Sequence, residues 1–242
     1  MILTSKQNLK IKNLKKLQTK KFRNLEQKFL ISGEHLINEA LKHNLVLEIF
    51  ETSDSKIYAN ATKVSYEIIK YLSQTTSPQK VLALCDKTKL KRTKVNKIIA
   101  LNNLQDPGNV GTIMRLALAF GFDTVIIENL DPYNDKVLRA SQGAIFNLNI
   151  IETKDLASLL FEYKTNNFKI YASMLDLEAS KLNDIEFASD KLIILLGNEG
   201  GGISEPIKSL ADQSLYIPIA FESLNVAVAA GIILDKIYNK RN

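Results

Sequence analysis

Cysteine occurs once in the 242 residues, at Cys85. That rules out an internal disulfide and a metal cluster built from cysteines. Long apolar runs are missing as well: none reaches the ~18 residues of a membrane span. The lysine-rich N-terminus has no apolar stretch behind it, so it does not read as a secretory signal. A transit peptide can also begin with basic residues, but this one reads as structured through Phe29. The expected compartment is the cytoplasm. Histidine, the usual proton carrier near neutral pH, occurs only at His35 and His43. No G-x-G-x-x-G is present. The nearest approach to a P-loop has Ile203 where lysine is required. Dinucleotide and triphosphate binding by those devices are therefore excluded.

The remaining composition is that of an ordinary globular protein, 45% apolar and 24% charged. The length suits one large or two small domains. Net charge is +6, which favours a polyanionic partner such as nucleic acid. Of 32 basic residues only five are arginine, a usage that coding bias would also produce. Clustering says more. Lys6, Lys10, Lys12, Lys15, Lys16, Lys20, Lys21, Arg23 and Lys28 face a single acid, Glu26, over residues 1–28. Lys87, Lys89, Lys91, Arg92, Lys94 and Lys97 form a second group. Either these are phosphate contacts or they are solvated faces.

Along the chain, residues 5–27 read as one basic helix anchored by Leu9, Leu14, Leu17, Phe22 and Leu25. A small α/β unit follows. Its strands are at 29–31, 46–51 and 81–85, with helices from Gly33 to about Lys42 and from near Thr62 to Leu72. The lysine-rich stretch 86–96 reads as an exposed linker. These patterns divide the chain into residues 1–90, a linker at 91–96 and a second domain at 97–242. From Lys97 strands and helices alternate, with strands at 98–101, 124–127, 148–151, 168–172, 192–196 and 215–217. Helices are expected at 109–120, 134–141, 155–163, 204–211 and 225–238. That alternation predicts a mostly parallel sheet with helices on both faces. Ligands of such sheets bind beyond the carboxyl ends of the strands, so loops 102–109, 128–134, 197–203 and 218–225 are the informative ones.

Three stretches there could carry chemistry. Asn102-Asn103-Leu104-Gln105-Asp106-Pro107-Gly108-Asn109-Val110-Gly111 joins a strand to a helix, with Asn109 expected as its N-cap. On that helix Arg115 is the only charge between Pro107 and Phe122, flanked one turn away by the small Gly111 and Ala119. It is either a structural salt-bridge partner or a clamp on a phosphate or ribose. Leu192–Leu196 runs into Gly197-Asn198-Glu199-Gly200-Gly201-Gly202, whose glycines let backbone amides approach a ligand. Glu199 within it is not explained by a flexible turn. Ile217-Pro218-Ile219 ends a strand, and Ser223 or Asn225 caps a final helix rich in Ala and Gly.

Taken in order, these motifs resemble the SpoU (TrmH-like) RNA ribose 2′-O-methyltransferases of the SPOUT superfamily. The matching pieces are Asp106–Gly111 with Arg115, Leu196–Gly200, and Ile217–Ile219 with Ser223–Val226. Asp131 to Gly143 looks like the family's connecting segment. The match covers about residues 97–240. Phe29–Glu34 resembles the ribosomal-protein-like substrate-binding domain of the ribosomal RNA branch. The resemblance implies a SPOUT fold with a C-terminal trefoil knot, a topology ordinary chain-path rules discard. It implies homodimers and an S-adenosylmethionine cofactor. That cofactor would be held by Leu196, Gly197, Gly200, Ile217, Ile219 and Leu224, largely through backbone groups at Gly197, Ile217 and Leu224. No metal is implied.

The implied reaction methylates a ribose 2′-hydroxyl of structured RNA, foremost 23S-type ribosomal RNA. Transfer RNA is an alternative substrate, and a non-catalytic RNA-binding protein of the same fold is an alternative function. Both histidines and Cys85 lie outside the motifs. The proton acceptor is therefore Glu199, Arg115 or an RNA phosphate. Arg115 is expected to orient the ribose and its phosphate and to stabilise developing negative charge. Asn109, Glu199, Ser223 and Asn225 are expected to position the reacting groups.

Overall fold

The computed structural model describes residues 2–90, 94–176, 179–220 and 222–239. Two compact units emerge: Met1–Lys91 with Tyr133–Phe146, and Arg92–Pro132 with Asn147–Asn242. Part of the segment resembling the methyltransferase family thus packs within the N-terminal unit.

That unit begins with helices α1 (Leu9–Lys16) and α2 (Lys20–Glu26). Next come β1 (Lys28–Ser32), α3 (Glu34–Lys42), β2 (Val46–Thr52), β3 (Thr62–Val64), α4 (Tyr66–Leu72) and β4 (Val81–Asp86). The sheet order is β1-β4-β2-β3, with β1 and β2 antiparallel to β4 and β3 parallel to β2. Ile11, Leu14 and Leu17 pack with Phe50, Val64, Ile68 and Leu82 into one core.

Two expectations fail here. The single helix over 5–27 is broken at Leu17–Thr19. Arg23, 5% exposed, turns back and donates from Nη1 to the Leu17 carbonyl at 2.7 Å. Leu9 and Leu25, expected as anchors, are exposed. The stretch 62–72 is a short strand followed by a helix. The β-branched Thr62 and Val64 suit a strand edge, and Ser65 stands immediately before α4, where N-caps are common.

The second unit starts with β5 (Lys97–Leu101), α5 (Pro107–Ala119) and β6 (Thr124–Glu128). The chain then supplies α6 (Asp135–Ser141) to the first unit. There the Tyr133 and Phe146 rings lie 5.3 and 6.3 Å from Phe29. Back in the second unit follow β7 (Asn149–Thr153), α7 (Leu156–Thr165), β8 (Lys169–Ser173), β9 (Ser180–Lys181), β10 (Leu192–Leu196), α8 (Glu205–Lys208), β11 (Gln213–Tyr216) and α9 (Val226–Asn239). All pairings in the sheet β7-β6-β5-β10-β8-β11-β9 are parallel. On one face Ile98, Ala100, Ile126, Ile170, Ala172, Ile193 and Leu195 pack with Leu156 and Leu160 of α7 and Ile207 of α8. The alternate residues point the other way. The helices α5 and α9, from opposite ends of the unit's sequence, pack on each other. No helix among the described residues is long and apolar enough to cross a membrane.

Asn109 is not the N-cap of α5. Asp106 takes that position, its Oδ1 accepting from the Gly108 amide at 3.1 Å, and Pro107 opens the helix. Proline is favoured at a first helical position because its missing N–H would be unpaired there anyway. Asn109 is displaced into the first turn, with consequences for the site. The helix expected over 204–211 is confined to Glu205–Lys208. The two-residue strand Ser180–Lys181 carried no periodicity from which to read it.

Candidate active site

The central strands β5, β10, β8 and β11 lie side by side and end in the same direction. Their following loops therefore meet at one end of the sheet. A cavity of about 590 Å³ opens there, within the usual ~300–1,000 Å³ of small-molecule sites. Its walls come from Ser173–Asp176 after β8, Leu196–Glu199 with Gly201–Ile203 after β10, Glu205 and Lys208 of α8, and Ile217, Ile219, Ser223–Val226 and Ala229 after β11.

The glycine loop after β10 is tightly folded. Asn198 and Gly202 exchange backbone hydrogen bonds, each 2.9 Å. The Asn198 side chain donates to the Asn103 carbonyl at 2.7 Å and accepts from the Gly200 and Gly201 amides at 2.8 and 3.2 Å. Gly197 sits so close to the returning strand of the loop that a Cβ there would lie 2.4 Å from the Gly202 carbonyl carbon. No side chain fits. Gly202, with φ +64°, adopts a left-handed conformation that glycine accepts freely.

At the rim a chain of hydrogen bonds runs from α9 to Glu199. The Ala227 amide donates to Asn225 Oδ1 at 2.9 Å, so Asn225 caps α9. Asn225 Nδ2 donates to Asn109 Oδ1 at 3.1 Å, and Asn109 Nδ2 donates to Glu199 Oε1 at 2.8 Å. The direction is forced. A backbone N–H can only donate, which turns the Asn225 oxygen toward the helix and its NH₂ toward Asn109. Asn109 must then present its own NH₂ to the carboxylate. Three residues drawn from three separated motifs are thereby locked in one orientation.

Leu196, Gly197, Ile217, Ile219 and Leu224 line the cavity, as do Glu199, Ser223 and Asn225. Asn109 reaches it through Glu199 and Asn225. Gly200 is not among the lining residues, and its amide is bonded to Asn198. Arg115 does not line the cavity either. Six residues along α5 from Asn109, it is turned about a third of a revolution away at 100° per residue. It is exposed, and no hydrogen bond or ion pair joins it to another described residue. The reading of Arg115 as a structural salt-bridge partner thus finds no partner among the described residues. On the same pair of packed helices, Leu118 of α5 and Val228 and Ile232 of α9 are exposed apolar side chains.

Sequence reasoning missed Met174, Asp176, Glu205 and Lys208 in the cavity wall. The rule that parallel strands bind ligands at their carboxyl ends applied equally to the loop after 168–172, which was not singled out.

In the N-terminal unit the basic residues divide by role. Lys15 donates to the Tyr71 carbonyl and lies 4.4 Å from that ring, with Lys6 at 5.4 Å. Burial, and then the neighbouring Lys6, lowers the Lys15 pKa. Lys10 pairs with Glu48 at 2.6 Å, and Arg23 is buried. Lys12 and Lys21 are exposed on their helices. Lys91 and Arg92 of the second cluster lie outside the described residues, and Lys87 rests 4.3 Å over the Tyr133 ring.

A parallel α/β unit with a cavity at the strand ends, walled by a glycine loop and a C-terminal segment, has the architecture of a small-molecule-binding protein. Residues 96–235 match the SpoU rRNA Methylase family, and residues 8–83 match an MRM3-like substrate binding domain. The chain belongs to the SpoU rRNA methylase family. It is 34% identical to the 23S rRNA (guanosine(2553)-2′-O)-methyltransferase RlmP of Bacillus subtilis, over 96% of this chain and 97% of that protein. Among solved structures it resembles a putative TrmH-family RNA methyltransferase of Porphyromonas gingivalis, with TM-score 0.83 and 28% identity over 96% of this chain and 97% of that one. It shares the fold of the AdoMet-bound rRNA methyltransferase of Sinorhizobium meliloti, with TM-score 0.82 and 24% identity over 99% and 98%.

Proposed function

We propose that the chain transfers a methyl group from S-adenosylmethionine to a ribose 2′-hydroxyl of structured ribosomal RNA. The observation carrying this reading is the oriented Asn225–Asn109–Glu199 chain at the rim of the cavity walled by the glycine loop. It holds a carboxylate beside the ligand space through side chains drawn from three separated motifs. The activity of the Bacillus relative supports the same chemistry, and the MRM3-like domain supports RNA as its target.

The cavity fits the cofactor. Leu196, Ile203, Ile217, Ile219 and Leu224 offer apolar walls for a nucleoside, and Asp176, Glu205 and Lys208 offer charges of both signs for an amino acid's polar groups. The backbone at Gly197 can be approached with no side chain in the way. When bound, the cofactor supplies a sulfonium methyl group already activated toward attack, so the protein's task is largely positioning. Glu199, held through Oε1, is placed to orient the nucleophile or receive its proton. Ser223 at the cavity wall can contact the ribose.

Arg115 serves a cavity other than its own. Its exposure and lack of a partner among the described residues, together with the exposed apolar Leu118, Val228 and Ile232 on the packed helices α5 and α9, support a homodimer in which α5 and α9 face a second copy. There Arg115 clamps the RNA phosphate and ribose above the other subunit's cavity. The trefoil knot belongs to the same reading: the segment after β11 and the loop after β10 line one cavity, and α9 returns to pack on α5. The proposed domains are residues 1–90 for RNA recognition and 97–242 for catalysis, within the cytoplasm. Mapping ribose methylation across total RNA from cells with and without this protein tests the proposal. One ribosomal 2′-O-methyl group is expected to disappear, and an unchanged map would refute the function.

A further inference from the structure

The glycine loop's internal shape is set by Asn198, but its position on the sheet needs another cause. That cause lies in two buried polar residues outside the cavity wall, one of which, Asn102, opens the first motif stretch without a role assigned to it there. Asn102, 2% exposed, follows β5, and Glu128, 6% exposed, ends β6. Asn102 Nδ2 donates to Glu128 Oε2 at 2.6 Å. The other carboxylate oxygen, Oε1, accepts from the Leu156 amide at the start of α7 at 3.1 Å. Because a carboxylate only accepts, Glu128 dictates which way the Asn102 amide faces. Its Oδ1 then receives the Ser204 amide at 3.0 Å, and its backbone N–H donates to the Leu196 carbonyl at 2.9 Å. Leu196 and Ser204 are the two ends of the loop. One residue therefore grips both, and one carboxylate anchored on a helix N-terminus orients that residue.

We propose that Asn102 and Glu128 are positioning residues that set cofactor affinity and the placement of Glu199 without touching either ligand. This rests on the reading of the cavity as the S-adenosylmethionine site. Buried polar networks are worth most when every member is satisfied and are costly when one is not, so the brace admits a test by polarity exchange. In Glu128→Gln the new amide can give its oxygen to Leu156 or to Asn102, not to both. In Asn102→Asp two carboxylates face each other in a dry site. In the double variant the introduced amide can accept from Leu156 and donate to the introduced carboxylate, whose other oxygen accepts from Ser204. Every partner is restored with one bond reversed.

S-adenosylmethionine binding to the full-length protein is measured by calorimetry, at a temperature where all variants remain folded. Loss of one net hydrogen bond corresponds to roughly tenfold. The Glu128→Gln variant is expected to bind about tenfold more weakly, Asn102→Asp more weakly still, and the double variant to return to within about threefold of wild type. Wild-type affinity in the singles, or a double variant no better than the combined singles, overturns the proposal. Lowered melting temperatures alone, with affinity intact, show mere structural support and also overturn it. If wild type itself does not bind S-adenosylmethionine, the functional reading fails instead. The brace is then judged by hydrogen exchange at the Gly202 and Ser204 amides. Faster exchange in the singles with recovery in the double sustains it, and unchanged exchange overturns it.

Discussion

Replacing Gly197 by alanine should damage the site through a steric effect whose size can be worked from the structure. The added Cβ would lie 2.4 Å from the Gly202 carbonyl carbon, 2.6 Å from the Ile203 nitrogen and 2.7 Å from the Gly202 oxygen, whereas ordinary contact begins at 3.4 Å. All three obstacles are backbone, so the returning side of the loop must retreat by about 1 Å (3.4 minus 2.4). That retreat strains the paired 2.9 Å bonds between Asn198 and Gly202. At about 0.5–1.5 kcal/mol net for each bond, the pair amounts to about 1–3 kcal/mol, the range expected for overpacking. Because the loop walls the cavity, the cost should appear in ligand affinity. S-adenosylmethionine binding measured by calorimetry should weaken about 5- to 150-fold, while far-ultraviolet circular dichroism stays that of the folded protein. Wild-type affinity in Gly197→Ala would refute the argument that backbone closeness at this position builds the site.

Arg115→Ala should leave the melting temperature within about a degree of wild type, since exposed side chains without partners contribute little to stability, yet abolish methyl transfer. Mixing it with a Glu199→Gln variant should restore activity that neither homodimer has, which a site confined to one chain would not allow. Cys85 is fully buried, and burial pushes its thiol pKa far up. A thiolate-directed reagent at pH 8 should therefore label it only as fast as the protein unfolds, and rapid labelling of native protein would contradict the packing. Alanine at both Lys12 and Lys21 should reduce the slope of log affinity for RNA against log salt by roughly one per lysine. An unchanged slope would remove α1 and α2 from the RNA surface.

The strand–helix alternation after Lys97 was legible because parallel strands buried on both faces read as continuous apolar runs. Leu192–Leu196 and Thr124–Glu128 are buried throughout. The three motifs were legible as pieces, and the resemblance supplied their assembly. Local pattern could not show that Asn225 donates to Asn109 and Asn109 to Glu199, since these residues are 116 and 90 positions apart in the chain. The bracing roles of Asn102, named only as the head of a motif stretch, and of Glu128 were hidden for a related reason: a polar residue closing an apolar strand looks like the start of a loop. The basic N-terminus misled by periodicity alone. Its leucines fit one helix, but the turn closed by Arg23 needs a buried guanidinium, which composition counts as surface charge. The Tyr133–Phe146 segment reads as part of the second domain because it lies between that domain's strands, while its aromatic residues pack on Phe29.

The central claim is the chemistry itself. Purified protein incubated with methyl-tritiated S-adenosylmethionine and ribosomal RNA lacking the modification is expected to place label in dinucleotides that survive alkaline hydrolysis, because a methylated 2′-oxygen can no longer attack the adjacent phosphate. Label released entirely as mononucleotides, or no transfer to RNA while the cofactor binds, would contradict it.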